Sequence, residues 1–344
     1  MEKNYTQINP VIQECYEQLQ KSAERTDGLS GIESGFHFLD KITSGWQNGD
    51  LIVIASRPTM GKSAFALSMI RNMAVNAQVP TLFYSLEMNN VQAVNRMIVN
   101  VCEIPGEKIK SGQLAPYEWG QLDYKIKELY DAPMYIDDTS GIDIDEICER
   151  TKQAVITNGV KIVVIDYIQR ISVKNGSYDK RYLEMSYITR RLKNLALELD
   201  VPIIALSQMN RSVDTREGID GKRPQLIDLR DSGTIEEDAD LVIFIHRPEY
   251  YKIYQDDKGN DLHEMAEIII AKHRNGIAGD VMLRFKKEYA RFQNPDDDMI
   301  IPMPGESPKV FGSRADNAQG SVATPLEDAP KEEPFGDQKV KLPF

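Results

Sequence analysis

The segment formed by residues 56–63 constrains the fold of this chain more than any other part of its sequence. It reads Ser-Arg-Pro-Thr-Met-Gly-Lys-Ser, follows the apolar run 51–55 and precedes the helix-like run 64–75. A strand, a tight loop that ends in Gly-Lys-Ser and a helix form the context of a phosphate-binding P-loop. In that context the N–H groups and the dipole of the helix start favour bound phosphate. The sequence therefore predicts a nucleotide site at this loop.

The residues of the loop have distinct predicted roles. Gly61 lets the backbone come close to the ligand, Lys62 can reach the β- and γ-phosphates, and the Ser63 hydroxyl can bind Mg²⁺. The strict pattern begins with glycine where this chain has Ser56, so a chance Gly-Lys-Ser in a strand–helix turn is the alternative on the loop alone. The predicted nucleotide-binding residues are Ser56, Arg57, Pro58, Thr59, Met60, Gly61, Lys62, Ser63 and Ala64.

Composition limits the classes of protein to which the chain can belong. No apolar run in its 344 residues approaches the roughly 20 residues needed to span a bilayer, and the N-terminus lacks the apolar core of a signal peptide. We therefore expect a cytoplasmic protein without a membrane partner. Cys15, Cys102 and Cys148 are far apart, which favours core packing over zinc or disulfides. The net charge of −12 argues against a nucleic-acid coat protein but is compatible with a local basic track.

Apolar, β-branched runs alternate with helical stretches along most of the chain. Several runs are continuously apolar, as expected for strands buried on both faces of a parallel sheet. The alternation predicts a doubly wound α/β fold with a mostly parallel, twisted sheet, helices on both faces and a C-terminal β-hairpin through residues 274–279. Strands are predicted at residues 51–55, 81–86, 161–165, 202–206, 241–245, 266–272 and 281–285, and helices at 63–75, 90–101, 117–130, 143–158 and 181–200.

The chain divides into three predicted regions. Residues 1–29 hold a helix with Asn9 as its N-cap and Pro10 in its first turn, and the single apolar stripe of that helix must dock on another surface. Residues 30–300 form the α/β domain, and residues 301–344 form a disordered acidic tail. The stripe consists of Ile8, Val11, Ile12, Cys15 and Leu19.

Polar side chains follow three of the predicted strands. Glu87 comes after the second strand, Asp166 after the third, and Gln208 shortly after the fourth. Ligands of open α/β sheets gather at the carboxyl ends of the strands, so these residues are expected beside the loop. There Asp166 can hold the Mg²⁺ shell, Glu87 can orient and deprotonate a water, and Gln208 can sense the γ-phosphate. Each one alone could be a helix cap or a turn former, but together they predict an NTP hydrolase.

Seven segments occur in a defined order between about residue 30 and residue 294. They lie at residues 35–51, 55–63, 85–88, 164–169, 205–211, 228–233 and 272–276. In this order they resemble the RecA-like motor domain of the replicative helicases of the DnaB family. That family has a small residue in place of the first glycine of the loop, which accounts for Ser56. The resemblance implies a RecA-like P-loop NTPase that works as a hexameric ring, moves along single-stranded DNA and unwinds duplex with ATP.

The resemblance also assigns roles to individual residues. It implies that Lys62, Ser63 and Asp166 bind Mg–ATP and that Glu87 is the catalytic base. Lys272 and Arg274 are two residues apart on one predicted strand, so they project from the same face. In the family such a pair reaches into the ATP site of the neighbouring subunit, with the arginine as its finger. The residues alone would suggest a salt-bridged surface.

Further implications concern partners. Residues 228–233 resemble the loop that touches single-stranded DNA in the family, with Arg230, Asp231 and Gly233 as the candidate contacts. Family members often carry Glu where this chain has Asp231. Without the resemblance, a segment of this composition would be interpreted as an ordinary turn. The first helix corresponds to a linker that packs on the adjacent subunit. A helicase loader or another replication protein is a further candidate partner. Full-length members carry an N-terminal collar domain that binds primase, whereas this sequence begins at what resembles the linker helix. The resemblance therefore leaves two alternatives, a fragment or a helicase that works without the collar, and primase contact depends on which of them holds.

Two other interpretations share part of this evidence. A recombinase of the RecA/RadA type, or a regulatory ATPase, has the same loop and strand-end carboxylates but does not need Lys272 and Arg274 together on a late strand. A non-catalytic ATP-binding scaffold would be expected to lose Glu87 or Lys62, and both are present.

Overall fold

A computed structural model gives the fold of the chain. It describes residues 6–24, 28–174, 181–210, 213, 216, 220–229, 232–256 and 258–297. The predicted acidic tail lies outside these residues, and the predicted division into three regions stays a prediction. Within the described residues, no helix is both long and apolar enough to cross a membrane.

In the part of the chain that the structure describes, nine strands form one sheet with the order β3-β2-β4-β5-β1-β6-β7-β8-β9. The pairings from β3 to β6 are parallel, and those from β6 to β9 are antiparallel. The strands are β1 (Leu51–Ser56), β2 (Thr81–Ser85), β3 (Met134–Asp137), β4 (Ile162–Asp166), β5 (Ile203–Gln208), β6 (Leu241–His246), β7 (Met265–His273), β8 (Gly279–Lys286) and β9 (Arg291–Gln293). This topology confirms the predicted α/β class and the C-terminal hairpin.

Helices cover both faces of the sheet because the central strands are apolar on both sides. In β1, Ile52 and Ile54 pack into one core with Phe65, whereas Leu51 and Val53 pack into a second core on the opposite face. The helices are α1 (Ile8–Glu24), α2 (His37–Thr43), α3 (Lys62–Ile70), α4 (Asn90–Cys102), α5 (Gly106–Ser111), α6 (Pro116–Tyr130), α7 (Ile144–Asn158), α8 (Arg181–Leu199) and α9 (Ser232–Asp238). Helices α3 and α4 contribute to the first core, and α7 to α9 contribute to the second.

The structure also corrects several predictions. Strands β3 and β9 and helices α2, α5 and α9 were not predicted, because segments of three to seven residues carry little periodicity. The helix predicted at residues 63–75 starts at Lys62 and ends at Ile70, followed by a π-helical turn, Arg71–Asn76. Asn9 is not an N-cap, since α1 begins at Ile8.

The three cysteines differ in their surroundings. Cys102 and Cys148 are buried in the α/β domain, as predicted. Cys15 is exposed, so its predicted core packing is wrong for the single chain. It lies on α1, where the other stripe residues are also exposed, each by two fifths of its surface or more: Ile8, Val11, Ile12 and Leu19. The amphipathic face of α1 is therefore open to solvent.

Candidate functional site

Four strands bring the predicted site residues to one edge of the sheet. Strand β1 pairs with β5 so that Ser56 is level with Gln208, and β2 pairs with β4 so that Ser85 is level with Asp166. Because these strands are parallel, their carboxyl ends meet at the same edge. Glu87 follows β2 by two residues at this edge. The loop after β1, the strand-end carboxylates and Gln208 thus form one cluster.

The loop itself requires glycine immediately before α3. Gly61 has a φ angle of +96°, and a Cβ atom at this position would lie 3.1 Å from a ring carbon of Phe292. Helix α3 starts at the next residue, and the N–H of Phe65 donates to the Gly61 carbonyl oxygen at 2.8 Å. The first N–H groups of a helix have no partner within the helix. The start of α3, at residues 62–64, therefore offers donors and a positive dipole end to an anion.

Lys62 and Asp166 form a buried ion pair beside this helix start. The Lys62 Nζ lies 3.2 Å from Asp166 Oδ1 and 4.3 Å from the centre of the Tyr167 ring. Burial lowers the pKa of Lys62, while the charges of Asp166 and Glu87 oppose that shift. The other carboxylate oxygen, Asp166 Oδ2, is buried and has no hydrogen-bond partner among the described residues. A buried carboxylate oxygen without a partner is costly and fits a bound cation.

The chemistry of these donors fits Mg²⁺ held together with phosphates. Within the described residues, no group of three or more His, Cys, Asp or Glu side chains could hold a metal ion alone. Mg²⁺ is usually bound by one or two carboxylates together with substrate phosphates and water. Asp166 and the Ser63 hydroxyl therefore suffice as protein ligands beside a nucleotide.

Gln169 is a residue of the site that the sequence did not single out. Its amide Nε2 donates to Ser207 Oγ at 2.8 Å, and its Oε1 accepts from the Gln208 backbone N–H at 3.4 Å. These bonds tie the segment after Asp166 to the end of β5 and fix the backbone from which the Gln208 side chain projects. Its position three residues after the strand-end carboxylate was the available signal.

Arg247 is a second residue that sequence reasoning missed. It lies two residues beyond Ile245, which pairs with Ser56 at the end of β1. Its guanidinium carbon lies 4.1 Å from the centre of the Phe285 ring, and its buried Nε has no partner among the described residues. An arginine stays charged in a protein, so Arg247 is a second buried cation at this edge of the sheet, in addition to Lys62.

Lys272 and Arg274 lie at the opposite edge of the sheet. Strand β7 is antiparallel to β6, and the Arg274 N–H donates to the carbonyl oxygen of Asp240. The N–H of Asp240 in turn donates to the carbonyl oxygen of Leu51, so Arg274 is level with the start of β1. Ser56 lies five positions further along β1 than Leu51, which corresponds to roughly 17 Å along a strand. The pair therefore cannot reach the P-loop of its own chain. In the single chain Arg274 makes an ion pair with Asp240, the arrangement that the residues alone suggest.

The predicted DNA-contacting residues are only partly described. Arg230 and Asp231 lie outside the described residues, and Gly233 is the second residue of α9. The segment starts close to the nucleotide edge, because the Asn210 N–H, two residues after β5, donates to the Asp228 carbonyl oxygen at 2.8 Å. Their role in DNA binding stays a prediction.

Comparisons with known proteins agree on one family. Residues 31–294 match the family described as DnaB-like helicase C terminal domain. The chain is 41% identical over 304 residues to the replicative DNA helicase DnaC of Bacillus subtilis (strain 168) and to the replicative DNA helicase DnaB of Geobacillus stearothermophilus, and each alignment covers 87% of this chain and 64% of the relative. The chain thus spans less than two thirds of the length of these relatives.

Solved structures give the same result. One structure, described as an ATPase domain, is 38% identical with a TM-score of 0.77, and the match covers 85% of this chain and 99% of that one. A second structure is described as a DnaB-like replicative helicase and its interactions with primase; it is 38% identical with a TM-score of 0.73, and the match covers 84% of this chain and 67% of that one.

Asp50 lies one residue before β1, at the same edge as Arg274. Burial, and then the charge of Asp240, raise the pKa of Asp50 to about 6, while Lys193, His273 and Arg274 oppose the shift. A carboxyl group whose pKa is raised by folding contributes its full stabilisation at pH values below its unfolded-state pKa, which is 3.8 here. That contribution is lost as the pH rises through the folded-state pKa of about 6.

We therefore expect the substitution Asp50→Asn to remove part of the pH dependence of stability. Through this group the parent chain should lose about 2–3 kcal/mol of unfolding free energy between pH 4 and pH 7, since one pKa unit corresponds to about 1.4 kcal/mol. Urea denaturation at both pH values measures this difference, with Asp123→Asn on the exposed face of α6 as the control. An identical pH dependence in the parent and Asp50→Asn would contradict the assignment.

Proposed function

The chain belongs to the family of DnaB-like helicase C-terminal domains, and we propose that it is the ATP-hydrolysing motor of a hexameric helicase that moves on single-stranded DNA and unwinds duplex during replication. The observation that carries this proposal is the division of the candidate site between two edges of the sheet. The P-loop and the carboxylates lie at one edge, and the cationic pair lies at the other. A complete site then requires two subunits. The recombinase or regulatory ATPase is not favoured, since the relatives are replicative helicases.

ATP binds with its phosphates at the loop and the start of α3. The N–H groups of residues 62–64 and the Lys62 ammonium group bind the β- and γ-phosphates. Asp166 and Ser63 hold Mg²⁺, which when bound neutralises charge on the two phosphates. The buried Asp166 oxygen without a partner among the described residues supports this assignment. Arg247 adds positive charge at the same edge.

Hydrolysis needs a base, a contact to the γ-phosphate and charge neutralisation. Glu87 is exposed just after the end of β2, where it can orient a water molecule and accept its proton. The water oxygen bonds to the γ-phosphorus as the bond between the γ-phosphorus and the oxygen that bridges it to the β-phosphate breaks. Gln208 contacts the γ-phosphate from the end of β5. Arg274 of the neighbouring subunit stabilises the charge that develops on the transferring group, with Lys272 beside it.

The partners follow from this architecture. They are five further copies of the chain, single-stranded DNA contacted by Arg230, Asp231 and Gly233, and a helicase loader or another replication protein. The apolar face of α1 packs on the neighbouring motor domain, which its exposure in the single chain supports. A helicase with these partners works in the cytoplasm.

Glu87→Gln tests the proposed base. We expect turnover of ATP to fall by at least about 100-fold, because an amide cannot accept the proton, while ATP binding is retained because the loop and Lys62 are untouched. Steady-state ATPase assays and binding of a fluorescent ATP analogue measure the two properties. The control is Glu107→Gln on α5, an exposed glutamate away from the site. Hydrolysis by Glu87→Gln at the parental rate would exclude Glu87 as the base.

Arg274→Ala tests the requirement for two subunits. An arginine finger is commonly worth about 10³–10⁵ in rate, so turnover should almost disappear. Mixing Arg274→Ala with Lys62→Ala chains should restore activity at sites that combine the intact loop of one chain with the intact arginine of the other. Arg190→Ala, an exposed arginine on α8, is the control. Full ATPase activity in a monomeric fraction would rule out the role in trans.

The α1 face gives a test of assembly. Burial of Ile8, Val11, Ile12 and Leu19 contributes about 6–12 kcal/mol before the costs of ordering and association. The double substitution Ile12→Glu/Leu19→Glu should therefore shift the chain from hexamer towards monomer and lower ATPase activity with it. Light scattering at micromolar concentration measures the mass, with Gln13→Glu/Gln20→Glu on the same helix as the control. An unchanged mass in the apolar-face variant would exclude α1 as the contact.

A further inference from the structure

Asp240 is a buried carboxylate at the edge that carries Arg274. It is 3% exposed and accepts hydrogen bonds from three separate elements. Its Oδ1 accepts from the Arg274 guanidinium at 3.0 Å, and its Oδ2 accepts from the Leu51 N–H at 2.9 Å and from the Lys193 ammonium group. Both oxygens are therefore satisfied, and β1, α8 and the end of β7 meet at this one side chain.

The last turn of α9 and the residue that follows it bind Lys272 and Arg274 through their carbonyl groups. The Lys272 ammonium group donates to the carbonyl oxygens of Glu236 and Ala239, and the Arg274 guanidinium donates to the carbonyl oxygen of Glu237 at 3.3 Å. The final carbonyl groups of a helix have no partner within the helix and carry partial negative charge, so cations are favoured there. Asp240 and these carbonyl groups, which we call the cation seat, thus fix the direction of both side chains.

The cation seat leaves Arg274 able to act on a second molecule. Half of its side-chain surface is accessible although the guanidinium is held from two sides. A guanidinium carries five N–H donors, and the two bonds just described use two of them. A charged group held in place before the reaction needs no reorganisation during it.

We propose that Asp240 is a positioning residue for hydrolysis at the neighbouring subunit's ATP site, because its carboxylate holds Arg274 in the direction from which it reaches that site. This inference rests on the proposed function, in which Arg274 acts in trans. Asp240 is buried and has both oxygens bonded within its own chain. Its effect is exerted through Arg274, and the interaction that matters is the bond from the guanidinium to Oδ1.

The substitution Asp240→Asn tests this role. An amide is neutral, and its one oxygen can accept either from Arg274 or from Lys193 and the Leu51 N–H, so the charge-assisted bond that fixes the guanidinium is weakened in one orientation and lost in the other. Misplacement by about 1 Å can cost about 100-fold in rate, so we expect turnover of ATP to fall by roughly 10- to 100-fold with the KM for ATP within about twofold. Arg274→Ala should fall further. Asp50→Asn removes a carboxylate from the same region but leaves the bond between Asp240 and Arg274 in place, and it should stay within about twofold of the parent.

Mixed rings separate positioning from a general structural effect. Asp240→Asn chains keep an intact P-loop, and Lys62→Ala chains keep an intact Arg274 on an intact cation seat. Mixing the two should raise turnover well above the average of the separate preparations. A defect in the fold or in the P-loop of Asp240→Asn would not be relieved by its neighbour. Parental turnover in Asp240→Asn, or a loss that mixing does not relieve, would overturn the proposal.

A second variant and the Arg274 result complete the test. If Asp240→Asn alone does not fold because Lys193 is left without its carboxylate, the double substitution Asp240→Asn/Lys193→Met removes both buried charges and is measured in the same way. If Arg274→Ala is not relieved by Lys62→Ala chains, the proposed role in trans has failed. If Arg274→Ala is relieved but the Asp240 variants are not, only the positioning role has failed.

Discussion

The central position of β1 in the sheet is the constraint on which both halves of the candidate site depend. Its carboxyl end leads into the P-loop, and its amino end is bonded to Asp240, which holds Arg274. The strand spans the two halves from Leu51 to Ser56, and its six buried residues fix the distance between them. Two surfaces at opposite edges can meet only between different copies, in a head-to-tail arrangement. Such an interface generates a ring when its rotation closes, which agrees with the proposed hexamer.

Two buried aspartates show how the same side chain serves two purposes. Burial of a carboxylate is costly unless its oxygens are paired. Asp240 has both oxygens bonded within the chain, which is the pattern of a residue that holds other groups in place. Asp166 has one oxygen on Lys62 and one without a partner among the described residues, which is the pattern of a residue that binds a ligand. In the sequence both aspartates stand next to an apolar strand, so the sequence separates these two roles less clearly than the hydrogen bonds do.

The sequence predicted those parts of the fold that depend on local patterns. Continuous apolar runs identified the central strands, and the residues just after them, such as Glu87 and Asp166, were expected at the nucleotide edge because parallel strands end together. Strands β3 and β9 were missed because they are short and are held by their neighbours in the sheet. Asp240 and Arg247 were missed because their roles depend on contacts with β7 and β8, which no local pattern contains.

The predicted DNA-contacting segment, residues 228–233, is bounded by described residues that lie near opposite edges of the sheet. At one end Asp228 is bonded to Asn210, two residues after β5, and at the other end the segment continues into α9. Helix α9 is seven residues long, about 10 Å, and the carbonyl groups of Glu236 and Glu237 in its last turn accept from Lys272 and Arg274. A ligand at this segment that shifts α9 therefore also shifts the cation seat. Under the proposed function, if a ligand bound at this segment changes the affinity for nucleotide at the neighbouring subunit's site, that nucleotide changes the affinity at the segment by the same factor, because linkage is reciprocal for binding free energies.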